Sequence, residues 1–156
     1  MLRSITLVSL ILVSAVSSFV SAEDHEKKIK RSQLPDAVQK TVAKQSKGAE
    51  VTGFTMVREA GKTYYEAEMR LNGHSKDVLM DANGNVVEIE EEVFLGDISP
   101  AVKHGLVAQA GTGRITMIES ITKNDKLVAY EAKVSNNGKK SEIQVGPDGK
   151  PLDHQE

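Results

Sequence analysis

The chain contains no cysteine. No disulfide can staple it, and no thiolate is available as nucleophile or metal ligand. Tryptophan is also absent, and tyrosine and phenylalanine number only 3 each. An aromatic content of 4% leaves few side chains to anchor a tight interface or to stack on bases. Neither charge sign dominates: 20 Lys and Arg face 22 Asp and Glu, a formal net charge of −2. That balance argues against nucleic acid or an anionic membrane surface as partner. After residue 22 no apolar run approaches the roughly 20 residues of a membrane span.

What the N-terminus does contain is an export signal. Arg3 supplies a positive start, Ile5 to Val20 is apolar but diluted with Ser and Thr, and Val20-Ser21-Ala22 is a small-residue cleavage site. Residues 1–22 therefore read as a signal peptide, with cleavage following Ala22. The expectation is a periplasmic or secreted protein with no stable membrane anchor, since no cysteine follows to carry a lipid. Its 134 residues would lose Arg3 alone from the charge count, leaving 19 basic against 22 acidic residues, a net −3. Residues 23–32, with Lys27, Lys28, Lys30 and Arg31, read as a charged flexible tail. A hydrophobic content of 39% suits a globular chain that stands on its core.

Beyond that tail one pattern is written twice. Leu34, Ala37 and Val38 recur 64 positions later as Ile98, Ala101 and Val102. Tyr65-Glu66-Ala67 recurs 65 positions later as Tyr130-Glu131-Ala132, and Asn72-Gly73 as Asn137-Gly138. One inserted residue reconciles the offsets, and the loop around Asn124-Asp125 is its natural place. Such self-similarity defines the structural unit. The predicted organisation is a first repeat over 33–92, a linker over 93–96 and a second repeat over 97–156.

Each repeat opens with a helix signal. Pro35 and Pro100 suit a first helical turn, and Ser99 is a natural N-cap. Leu34, Val38 and Val42 mark a buried stripe that Ile98, Val102 and Leu106 repeat. The period then changes to two. Tyr65, Ala67, Met69 and Leu71 point one way, and Tyr64, Glu66, Glu68 and Arg70 the other. Tyr130, Ala132 and Val134 alternate likewise with Glu131, Lys133 and Ser135. Asn-Gly pairs mark tight turns between strands. Val51, Phe54 and Val57, matched by Ile115, Ile118 and Ile121, are spaced by three, which predicts a bulge or a change of face. The fold expected is α+β: two tandem repeats, each an N-terminal helix packed on a four-stranded antiparallel sheet. Val93, Phe94 and Leu95 are expected to pack against one or both units.

The ordered set LPDAV then YYEAEMRLNGHSKDVLMDANGNVVEIE, with YEAKVSNNGKKSEIQVGPDGKPLD in the second copy, resembles the PepSY-like domains of the β-lactamase-inhibitor-like group. The resemblance covers Gln33 to Glu92 and Asp97 to Glu156. It implies a small exported bacterial binding module, in some relatives an inhibitor of an extracytoplasmic enzyme. The β-lactamase inhibitor proteins themselves use disulfides and an aromatic-rich concave face, which this chain lacks. The matched motif is scaffold, so the resemblance carries over no contact residues.

No catalytic, cofactor or metal site stands out. Gly61-Lys62-Thr63 lacks the earlier glycine of a phosphate loop, since Met56 stands there. His25, His74, His104 and His154 make no ligand pair and read as solvent-exposed. Asp81 and Asn83 before Gly84 suit a turn better than a calcium loop. Glu88, Glu90, Glu91 and Glu92, with Asp97, suggest an edge strand protected by charge, or else a docking surface or weak cation site. The function expected is a non-enzymatic exported module that binds a protein or peptide of the cell envelope. The residues offered for contact are the outward Glu66, Glu68, Arg70, Glu131 and Lys133. The alternative is a structural or stress-related envelope protein, or a weak cation binder, without one dedicated partner.

Overall fold

A computed structural model describes residues 25–59, 61–154 and 156. The signal-peptide reading of residues 1–22 falls outside them. Among the described residues two α-helices form, α1 at Asp36–Gln45 and α2 at Pro100–Ala110. α2 starts as its residues dictate, with Pro100 in its first turn and the Ser99 hydroxyl accepting the Val102 N–H at 3.2 Å. Leu34, Val38 and Val42 are buried, as are Ile98, Val102 and Leu106, so both apolar stripes face the interior.

Eight strands follow the chain: β1 His25–Lys28, β2 Ala49–Glu59, β3 Lys62–Leu71, β4 His74–Asp81, β5 Val86–Glu92, β6 Arg114–Lys123, β7 Lys126–Asn136 and β8 Lys139–Val145. They form one antiparallel sheet in sequence order, each strand paired with the next. The expectation of two repeats, each a helix on its own four-stranded sheet, is therefore wrong. β5 pairs with β4 on one side and with β6 on the other, so the sheet never breaks. Among the described residues four strands follow α1 and three follow α2, after which a bridge joins Val145 to Pro151. An eighth strand comes from residues read as a tail: His25–Lys28 pairs with β2. The physical reason lies in unpaired strand edges. Two separate sheets would expose inner edges, and joining them through β5 satisfies both rows of backbone groups.

Directly opposed residues share a face of the sheet. The row Ala67, Val78, Ile89 and Thr122 faces the helices. Beneath α1, Phe54, Ala67, Met69, Val78 and Met80 make one core cluster. Beneath α2, Ile118, Ala132, Val134 and Val145 make the other. Both helices thus cover the same face. The expected bulges occur, with register shifts between Val51 and Gly53 and between Ile115 and Met117. They carry Phe54 and Ile118 onto the helix face, while Val57 and Ile121 turn to the other.

The inserted residue does not lie in the Asn124-Asp125 turn. Ile121 pairs with Ala129 but Thr122 with Leu127, so Val128 bulges out of β7. That bulge changes the repeat offset from 64 to 65 and keeps Tyr130 on the core side, as Tyr65 is in the first copy. The turn glycines Gly84 and Gly149 sit against the helix starts. A Cβ on Gly84 would lie 2.6 Å from the Ala37 carbonyl oxygen, and one on Gly149 would strike the Ala101 carbonyl. Both glycines also have φ near +80°.

Candidate functional site

Among the described residues nothing covers the face opposite the helices, and this face is concave. It encloses a cleft of about 540 Å³ lined from β1 to β8, including Lys28, Thr55, Asp77, Glu90 and Glu142. All five residues expected from strand alternation, Glu66, Glu68, Arg70, Glu131 and Lys133, line this one cleft. Arg70 is exposed; Glu66, Glu68 and Lys133 are half-buried; Glu131 is buried.

Two rows of carboxylates cross this face of the sheet. Glu68, Asp77 and Glu90 stand directly opposite one another on β3, β4 and β5. Glu92, Glu119 and Glu131 do the same on β5, β6 and β7. Like charges in opposed positions destabilise a sheet, so core packing does not explain these rows. Lysines compensate in part. Lys28 pairs with Glu68, Lys123 lies 3.2 Å from Glu88, and Lys133 lies 2.8 Å from Glu119. The Lys28 hydrogen bond holds Glu68 below the usual carboxylate range. Burial lowers the Lys133 ammonium, but the contact with Glu119 outweighs it and the net shift is upward.

The other acids are less well served. Burial, then repulsion from Asp77 and Glu68, pushes Glu66 up to about 7. Burial and a hydrogen bond with Glu88 push Glu90 up to about 8. Burial, then repulsion from Glu119, raises Asp77. Burial also raises Glu131, against the Gln144 side-chain N–H that donates to its Oε2 at 2.9 Å. Near neutral pH the cleft therefore holds protons as well as charge.

Strand alternation alone does not reveal Asp77, Glu90 and Glu119 as a group. Glu90 falls on an acidic strand expected at a sheet edge. β5 is instead a central strand, so its acids on this face, Glu88, Glu90 and Glu92, are carried into the sheet interior. Glu91 points to the helix side and pairs with Lys76 at 2.8 Å. The sequence does hold one signal for Glu119, which stands 64 positions after Thr55. The fold accepts a neutral residue at that place, and this copy carries an acid.

The Thr55 hydroxyl donates to Glu68 Oε1 at 2.9 Å, an alcohol beside a carboxylate, and Thr55 is 2% exposed. A second cleft, of about 420 Å³, lies on the helix side and is apolar, lined by Val93, Phe94, Leu95, Val107, Ile115 and neighbours. Val93 packs on the second core as expected, but Phe94 and Leu95 are 56% and 41% exposed. The Phe94 ring stands edge-on to His74, with centroids 4.7 Å apart, so His74 is half-covered rather than free.

The chain matches no known protein-family profile and no curated protein sequence. Solved structures do resemble it. A predicted periplasmic protein of Bacteroides eggerthii aligns with a TM-score of 0.62 at 21% identity, over 78% of this chain and 88% of that one. A DUF2874 family protein of Bacteroides ovatus aligns at 0.58 and 22%, over 76% and 84%. A BLIP-like protein of Bacteroides fragilis aligns at 0.54 and 23%, over 76% and 83%. The fold is therefore BLIP-like. The periplasmic description of such neighbours agrees with the expectation of export, and among the described residues no helix is long and apolar enough to cross a membrane.

Proposed function

We propose that this chain is an exported, non-enzymatic binding module of PepSY-like kinship that holds a basic segment of an extracytoplasmic protein in its charged cleft, and so modulates or inhibits that protein. One observation carries the reading. Both helices lie on one face of a continuous sheet, and the free face gathers Glu66, Glu68, Asp77, Glu90, Glu131 and Glu142 in one concavity with fewer ammonium groups than carboxylates. An acidic concavity attracts cationic segments and speeds their encounter. The BLIP-like neighbours support a binding role over a catalytic one. The scarcity of aromatic side chains fits recognition by charge rather than by a hydrophobic anchor.

The test is a titration of the exported chain with basic and acidic peptides of about a dozen residues. Basic peptides should bind, and binding should weaken as salt shortens the screening length to about 8 Å and below. Glu26→Lys and Glu142→Lys, both at exposed rim positions, should weaken it without unfolding the protein. Arg70→Glu removes an exposed cation from the cleft and should strengthen it. Salt-insensitive binding lost on Phe94→Ser would instead put the partner in the apolar cleft, and binding of acidic peptides would refute the reading outright.

A further inference from the structure

We infer that Asp77, Glu90 and Glu119 form a binding site for one divalent cation, with calcium the ion their chemistry fits. The three come from adjacent strands β4, β5 and β6, and one carboxylate oxygen of each lies within 4.8 Å of the other two. Calcium takes oxygen ligands at about 2.3–2.6 Å, so ligands on opposite sides of it stand up to about 5 Å apart. Magnesium, at about 2.0–2.1 Å, would draw opposed ligands to about 4.2 Å. Three carboxylates with water completing the shell suit calcium, which takes about six to eight oxygen ligands in flexible geometry, better than magnesium, which dehydrates reluctantly and is usually held by one or two carboxylates.

Clustered acids alone would be weak support. The independent observation is Glu119. It is 1% exposed, and neither of its oxygens has an aligned hydrogen bond among the described residues. Lys133 approaches Oε2 at 2.8 Å as an ion pair, which leaves Oε1 buried with no donor, and one carboxylate oxygen of Glu119 lies within 4.8 Å of those of Asp77 and Glu90. An unsatisfied buried carboxylate oxygen is costly. The fold does not demand one, because Thr55 fills the matching place in the first copy. There the neutral hydroxyl is satisfied by donating to Glu68. A cation on the Glu119 carboxylate, shared with Asp77 and Glu90, relieves the buried charge and the opposed carboxylates together. The rest of its shell opens to the cleft, where water supplies oxygen.

Calcium chloride titrated calorimetrically into the metal-stripped, exported chain tests the site without any peptide, so this inference stands or falls apart from the partner reading. The expected result is one ion per chain, with a Kd of about 1 mM or tighter, and a rise in the thermal midpoint. Glu119→Gln should weaken binding at least about tenfold, which corresponds to about 1.4 kcal/mol, and Asp77→Asn should do likewise. Glu142→Gln, an exposed acid of the cleft rim, should leave it unchanged. Circular dichroism verifies that each variant is folded; if Glu119→Gln is not, Asp77→Asn decides. Absence of both heat and midpoint shift at about ten times that Kd overturns the site. So does calcium binding that survives in whichever of the two variants are folded.

Discussion

Lys133 and Glu119 invert a pair found in the other copy. In the first copy Lys28 on β1 pairs with Glu68 on β3 across β2. In the second, the position of Glu68 is Lys133, and its acid is Glu119 on the neighbouring strand β6. The inverted pair is the deeper one, since Glu119 is 1% exposed. Removing one partner of a buried pair typically costs about 3–5 kcal/mol. The Lys133 side chain is 40% exposed, which softens that figure. Lys133→Met should therefore destabilise the metal-free protein by about 2 kcal/mol. Lys133→Met combined with Glu119→Gln should recover most of the loss in a urea titration. A double variant no more stable than the single one would contradict the pairing.

The carboxylates of the cleft make stability depend on pH. Glu66 and Glu90, at about 7 and about 8 against 4.5 for an ordinary glutamate, hold protons more tightly in the folded chain than in the unfolded one. Between about pH 4.5 and 8 the folded state thus binds more protons, and unfolding free energy falls as pH rises. Groups shifted down, Glu68, Asp81 and Asp148, act below this window. Urea midpoints in chelator-treated buffer should be lower at pH 8 than at pH 5.5, and Glu90→Gln should flatten the difference. A midpoint that climbs with pH over this range would refute the assignment.

Tyr65 packs against the first core, whereas Tyr64 lies on the uncovered face. Both are half-buried, so the contrast rests on what each ring touches rather than on exposure. Tyr65→Ala should cost about 3 kcal/mol through lost contacts and a cavity. Tyr64→Ala should cost about 1 kcal/mol or less. Equal losses in parallel denaturant titrations would mean that the strand phase is wrong.

Gly84→Ala should destabilise more than a typical surface change, by about 2 kcal/mol or more, because strain at positive φ adds to a close approach to the Ala37 carbonyl. The Thr41 hydroxyl, which donates to the Gly84 carbonyl at 2.6 Å, ties the same turn to α1. Gly73→Ala shares the positive φ but has open space around it. It should lose less in thermal unfolding, and the difference between the two measures the helix–turn contact.

Local chemistry determined much of this protein. Apolar residues three and four apart made α1 and α2, alternation made β3 and β7, and Asn-Gly pairs turned the hairpins, because each of these depends on neighbours within a few positions. The same alternation placed Glu66, Glu68, Arg70, Glu131 and Lys133 on the wet face before any tertiary contact was known. Tertiary structure decided what those elements became together. Whether β5 closed one sheet or opened another depended on pairing with β6, whose helix and linker intervene in sequence, and edge hydrogen bonds favoured the continuous sheet. That pairing moved Glu90 from a supposed edge to the middle. It brought Glu90 beside Glu119, 29 positions away along the chain, while the β4–β5 pairing set Glu90 opposite Asp77, 13 positions away. A cluster drawn from three strands has no period to read. It exists only once register and curvature have set the strands side by side.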